Sequence, residues 1–273
     1  MVQVSYTKDK GLKTQSGAGS FSIESGIPLS GHVKDTVTGN SVSTVNFSGI
    51  KHKNNPAGAL EFNLDGKVLR LNSNGGTDYY IFISISDGDN AADPEIAGLT
   101  AVELDVAEAD INSETKLVDE LAALINTDDG LNTEFEAANV GDDLVVRSLR
   151  MGDAGSVVSS ISDFVGLVDA NNDDAVVSAS VSHTAGTGSY LLSTGGMSKV
   201  SGALATGNDS FVVLPSLTAD AHYGARKIVI RPANGNQFIL KNAAGGTLHT
   251  FNAAGDVAHL IWNGTTWKMA YSS

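Results

Sequence analysis

The chain is 273 residues long, with thirty glycines, no cysteine and a formal net charge of −14. Without cysteine there are no disulfide staples, no thiolate-held zinc or iron–sulfur centre and no thiol nucleophile. Only 18% of the residues are charged, and Ser, Thr, Gly, Ala and Asn abound, which favours turn-rich β structure over a helical bundle. The length is a soft prior for two or three domains. The opening Met1 to Lys10 lacks the basic-then-apolar order of a secretory signal, and no apolar run approaches the roughly 18 residues of a spanning helix. The expectation is a chain made in a cytoplasm and not inserted in a membrane.

Charge is distributed in blocks. Residues 78–174 hold 23 acidic residues against Lys116, Arg147 and Arg150, whereas residues 1–77 hold eight basic and five acidic, and 175–273 six and three. The acidic centre would repel phosphate, which argues against a nucleic-acid partner. Four segments are expected: a loosely organised β-rich attachment segment over 1–77, an acidic α+β domain over 78–183, a linker over 184–197, and a C-terminal antiparallel β-barrel or sandwich over 198–273. The expected fold is mainly β with one α+β insert.

In chain order, Val2–Thr7 alternates as a short strand, and Phe21–Glu24 and Ser41–Phe47 are strand candidates separated by Gly26, Pro28, Gly31 and Gly39. Little of this can bury itself alone. Leu60–Leu64 alternates, Asp65-Gly66 offers a turn, and Lys67–Leu71 returns, which reads as a hairpin. Tyr79–Ile85 and Ala101–Val106 are rich in strand formers. Ser113 is a helix N-cap, Glu114 suits the first turn, and Leu117, Val118, Leu121, Ala122, Leu124 and Ile125 fall on one helical face ending near Asn126. A second hairpin turns at Val140–Asp143. After the small residues Thr184–Ser189, strands follow at Phe211–Leu214, Lys227–Arg231, Gln237–Lys241, Thr247–Phe251, Val257–Trp262 and Thr265–Tyr271.

In the last hairpin, a two-residue Asn263-Gly264 loop would pair Trp262 with Thr265, Leu260 with Trp267 and Ala258 with Met269. Leu260, Trp262, Trp267 and Met269 then form the hairpin's core face with Ala258. The opposite face carries Val257, His259 and Ile261 and is half apolar, so it reads as a subunit interface.

Catalytic signatures are missing: there is no G-x-S-x-G elbow, no phosphate loop and no third glycine after Gly17-Ala-Gly19 or Gly186-Thr-Gly188. The six histidines form no metal-binding pair spacing. Asp87, Asp89 and Asp93, with Asn90 and Glu95, offer oxygen ligands to calcium, as do Asp169, Asn171 and Asp173. Neither group has the glycine and glutamate of an EF-hand, and Asp, Asn and Gly serve turns by their backbone habits. Trp262, Trp267 and Tyr271 suit sugar stacking as well as packing. No cofactor is expected.

Two stretches resemble known proteins. Leu214-Pro-Ser-Leu-Thr, Ala225-Arg-Lys-Ile-Val-Ile-Arg-Pro, Gln237-Phe-Ile-Leu and Ala258-His-Leu-Ile-Trp-Asn-Gly-Thr-Thr-Trp-Lys-Met resemble a β domain of tailed-bacteriophage fibre, spike and head-decoration proteins. The stretch Glu114–Asn126, Thr133-Glu-Phe-Glu-Ala and Asp143-Leu-Val-Val-Arg-Ser-Leu is similar to an α+β insert of phage tail and capsid-associated proteins. The resemblance implies a homotrimeric structural protein of the virion surface with no active site, so not an enzyme. On this reading the chain is a capsid decoration or head-fibre protein. Lys8, Lys10 and Lys13 would attach it to the major capsid protein or another virion protein. The alternatives are a tail fibre that recognises a host surface glycan, and a glycan-binding or glycan-degrading protein.

Overall fold

The structure, a computed structural model, describes residues 3–7, 11–15, 33–54, 60–61, 63–73, 75–86, 90–168, 176–202, 210–218 and 222–272. Among the described residues it is mainly β, 48% strand and 12% helix, in several sheets, and no closed barrel forms.

Strands β1 (Gln3–Thr7) and β2 (Gly11–Gln15) pair with each other. β3 (Val33–Thr38) and β4 (Asn40–Asn46) follow, and β5 (Lys53–Asn54) pairs with β6 (Leu60–Glu61). β7 (Val68–Leu71), β8 (Tyr79–Ile85) and β9 (Thr100–Val106) lead to helix α1 (Glu114–Thr127) and the single turn α2 (Leu131–Glu134). β10 (Phe135–Val140) and β11 (Asp143–Met151) form a hairpin, followed by β12 (Val158–Ser160), β13 (Leu167–Val168), β14 (Val176–Val177) and β15 (Ser180–Thr184). The remainder is β16 (Gly196–Ser201), β17 (Phe211–Leu214), β18 (Arg226–Ile230), β19 (Phe238–Asn242), β20 (Thr247–Phe251), β21 (Val257–Trp262) and β22 (Trp267–Ser272).

Three sheets carry the architecture. A seven-stranded sheet runs β15-β4-β11-β17-β19-β20 with β10 also on β11; a four-stranded sheet runs β12-β7-β8-β9; a five-stranded sheet runs β22-β21-β18-β16-β3. The first core joins α1 to both the four-stranded sheet and the β4/β10/β11 part of the seven-stranded one, through Leu117, Leu121, Ile81, Ile83, Leu144 and Val146. The second lies between the five-stranded sheet and β17, β19 and β20. β11 contributes to both, with Val146 in one core and Met151 in the other.

Helix α1 forms as its sequence dictates. The Ser113 hydroxyl accepts from the Lys116 N–H at 3.3 Å, and Leu117, Val118, Leu121, Ala122 and Ile125 are buried. The helix runs to Thr127, and the Asn126 amide both donates to and accepts from the Ala137 backbone, at 2.8 and 2.9 Å, tying the helix end to β10. Ser113→Ala is expected to lower stability by about 1 kcal/mol, read as a shift in the urea midpoint with unchanged slope.

Several local pairings differ from the sequence reading. Leu60–Leu64 does not form a hairpin with Lys67–Leu71: β6 pairs with β5, and β7 pairs with β8 and β12. The Asp65-Gly66 turn exists, but Asp65 Oδ1 accepts from the Ile85 and Ala91 N–H groups and so anchors the end of β8. The C-terminal part is a two-sheet sandwich of mixed strands, not an antiparallel one, since β16 runs parallel to both β18 and β3, and β17 parallel to β19. Strands from the first 77 residues join these sheets as well. β3 is an edge of the five-stranded sheet and β4 lies between β15 and β11, so sheet membership crosses the expected boundaries at 77, 183 and 197.

The expected linker is likewise built into the fold. Thr187 and Thr38 exchange backbone hydrogen bonds at 2.8 and 2.9 Å, and Leu191 bridges to Val213. Gly188 has φ +80°, and a Cβ there would stand 2.3 Å from the Thr36 carbonyl oxygen. Gly188→Ala is expected to cost about 1–3 kcal/mol through backbone strain. A thermal scan showing no loss would refute that close approach.

Candidate assembly interface

The final hairpin has a different register from the one expected. Trp262 pairs with Trp267 and Leu260 with Met269, so the loop has four residues, 263–266. Asn263 closes it: its Oδ1 accepts from the N–H groups of Thr265 and Thr266, at 3.1 and 2.8 Å, and its own N–H donates to the Thr266 carbonyl. The partner moves by two residues, an even number, so the faces are unchanged. A bulge at His259/Leu260 then sets Tyr271 opposite His259.

On the inner face, Ala258, Leu260, Trp262 and Trp267 are buried. The two indoles meet edge to face at 5.6 Å, and Trp267 Nε1 donates to the Pro215 carbonyl at 2.8 Å. Met269, expected in this core, is 37% exposed. It lies on the edge strand β22, which is exposed after Trp267.

Val257, His259 and Ile261 lie on the outer face and are half-buried. Register extends this face across the sheet. Ile230, Ile228 and Arg226 stand opposite Val257, His259 and Ile261; Met197 and Lys199 stand opposite Ile228 and Ile230; Lys268 stands opposite Ile261. Met197, Ile228, Ile230, Val257 and Ile261 are half-buried and belong to none of the three apolar clusters. A cavity of about 400 Å³ opens among Arg226, Ile228, His259, Ile261, Ala270 and Tyr271. Tyr271, 59% exposed, meets His259 edge-on at 5.8 Å. Among the described residues this face holds Lys199, Arg226 and Lys268 and no carboxylate. Apolar side chains on a pleated face without a covering layer are what a monomer avoids and an assembly uses.

Beneath this face is a polar lock that the sequence reading did not find. Lys227 points inward with a fully buried side chain, and its Nζ donates to Asp35 Oδ2, Ser193 Oγ and the Gly195 carbonyl at 3.1, 3.2 and 3.2 Å. Three acceptors match the three ammonium donors. Asp35 Oδ2 also accepts from the Ser193 N–H and hydroxyl, at 3.1 and 2.8 Å, and from the Ser198 hydroxyl. Burial pushes the Asp35 carboxyl up, but hydrogen bonds from Ser198 and Ser193 and the Lys227 charge outweigh it, leaving the group below its ordinary 3.8. Burial pulls Lys227 below its ordinary 10.5 against the attraction of Asp35. The lock holds β3 to β16 and β18. Its one local sign is that Lys227 shares the register of Val229, out of step with Ile228 and Ile230.

A second junction joins the acidic unit to the C-terminal sandwich. Arg150 forms a two-pronged pair with Glu134, at 2.8 and 2.9 Å. Its guanidinium lies 4.9 Å from the Tyr190 ring centre and 5.4 Å from that of Phe211, while Lys241 Nζ is 4.0 Å from the Phe211 ring centre. Nearby, Arg147 pairs with Glu136 on neighbouring strands.

Of the calcium candidates, Asp87 and Asp89 lie outside the described residues. Asp93 is exposed, and its Oδ1 accepts from the Tyr80 hydroxyl and, at 2.9 Å, from the Glu95 N–H, which gives it a loop-shaping role. Among the described residues no three acidic or histidine side chains gather as a metal site. Lys8 and Lys10 lie outside the described residues, and Lys13 falls in β2. No helix among the described residues is long and apolar enough to cross a membrane. No protein-family model, no curated protein and no solved structure matches the chain.

Proposed function

We propose that the chain is a structural component of a tailed-phage virion, a capsid decoration or head-fibre protein that binds the assembled shell as a homotrimer and catalyses no reaction. The outer face of the five-stranded sheet carries this reading: apolar residues on its central strands have no covering layer among the described residues, while the opposite face packs a complete core. The β1–β2 ladder supports attachment elsewhere, because it forms a two-stranded sheet of its own. Such a hairpin is marginal in water and gains stability by packing on a partner. Many identical sites on a shell convert weak single contacts into retention.

The test is co-sedimentation with phage heads stripped of this chain. The purified protein is expected to pellet with heads and to leave host cells unstained when fluorescently labelled. Protein that stays in the supernatant contradicts the reading, and staining of host cells would assign it to a receptor-binding fibre instead.

A further inference from the structure

We propose that the outer face of the five-stranded sheet docks on the acidic face of strand β9 in a neighbouring copy, so that copies join head to tail in a closed ring. This rests on the reading that copies of the chain assemble, and it names the two surfaces that meet.

Charge disfavours pairing this face with itself. Lys199, Arg226 and Lys268 share the apolar outer face, and none of them is in an ion pair among the described residues. Two copies of this face pressed together would set three cations against three cations in a partly dehydrated contact, where like charges cost most. An acidic surface removes that penalty. The chain has one in abundance, since residues 78–174 hold 23 acidic side chains and three basic ones.

Some of those acids stand on an edge strand. Glu103 and Asp105 are exposed on β9, the edge strand of the four-stranded sheet, opposite Phe82 and Ser84. Alternate positions place them on the side away from α1, beside the small apolar cluster of Val68, Tyr80 and Phe82. Exposed Asp93 and Glu95 adjoin this cluster through the Asp93–Tyr80 hydrogen bond. Neither Glu103 nor Asp105 is in an ion pair among the described residues. The molecule thus carries two surfaces of opposite sign, each with unpaired charge, and the outer sheet face supplies the apolar area.

Area also favours more than one contact per copy. Five strands about 4.8 Å apart and about five residues long give a face of roughly 400 Å². A standard interface needs about 800 Å² from each partner. A twofold pair through this face alone falls short. In a ring each contact is no larger, but every copy takes part in two of them, so each copy buries twice what it would in a pair, and a heterologous contact whose rotation closes makes a ring.

Charge reversal tests this. The intact wild-type chain is expected to lose assembly as salt rises, with the association constant falling about tenfold or more between about 0.05 and 1 M NaCl. The triple variant Lys199→Glu, Arg226→Glu, Lys268→Glu and the double variant Glu103→Lys, Asp105→Lys are each expected to be monomeric, with unchanged circular dichroism. The variant that combines all five reversals restores complementarity and is expected to assemble again. If the triple variant loses its fold signal, Arg226→Gln with the wild-type salt titration reads the same dependence. A wild-type trimer indifferent to salt, or a folded five-site variant that stays monomeric, overturns this pairing and leaves the trimer reading standing. A wild-type chain that is monomeric in every buffer overturns both.

Discussion

Trp262→Ala is expected to lower the stability of the chain by about 3–5 kcal/mol, the range for removing a large aromatic side chain from a packed core. Trp262 is 2% exposed, lies between the two sheets of the C-terminal sandwich and packs edge to face on Trp267. Its removal leaves a void that Leu260 and Val229, both already packed in the same core, cannot fill without leaving their own contacts. Trp262→Phe is expected to cost much less. The ring is largely retained, and Nε1, which is buried without a partner among the described residues, is removed. Urea unfolding followed by near-ultraviolet circular dichroism separates the two variants. Equal and small losses would mean the indole is not a core element.

Asp35→Ala is expected to cost about 3–5 kcal/mol, because it strands the fully buried Lys227 ammonium without its counter-charge. The Lys227 Nζ would keep only Ser193 Oγ and the Gly195 carbonyl as acceptors. Adding Lys227→Met to Asp35→Ala is expected to restore most of the loss, since an apolar side chain of similar length replaces the orphaned charge. The pH dependence has a definite sign. The folded carboxyl of Asp35 lies below 3.8, so the native state binds fewer protons there than the unfolded one. Its contribution is therefore present above about pH 4 and is lost as pH falls through the folded value. In the single variant the deficit shrinks toward alkaline pH, because the buried amine can shed its proton. Chemical unfolding of wild type and both variants at pH 3, 7 and 10 checks this. A deficit independent of pH would remove the ion pair as its cause.

The parts legible in the sequence were those fixed by local chemistry. Ser113, the apolar spacing of α1 and the run Tyr79–Ile85 need only neighbours a few residues away, and the structure places all three as expected. The β10–β11 hairpin turns at Gly141-Asp142 for the same reason. Non-local pairing was not legible. Nothing in Val33–Thr38 announces that it will lie parallel to Gly196–Ser201, more than 150 residues away, and the parallel pairs β16–β18 and β17–β19 likewise join strands that are not neighbours in sequence, which makes a mixed sandwich of an expected antiparallel module.

The candidate interface was legible in part. Alternation alone placed Val257, His259 and Ile261 on a face opposite the tryptophans, and an error of two residues in register left that intact. The same alternation misleads at β18. A reader counting hydrophobic residues would bury Ile228 and Ile230, yet Lys227 and Val229 face inward while the isoleucines stand outside. The inward lysine is intelligible only with Asp35, Ser193 and Ser198 beside it, and those arrive from other strands and turns. Met269 was misassigned because pattern reading takes no account of where a strand runs past the layer that covers it.

Sedimentation equilibrium of the intact chain over a wide range of concentrations tests most directly whether the outer sheet face is built to be covered by other copies. The mass of three chains is expected at high concentration, dissociating on dilution. A single chain at every concentration would contradict it.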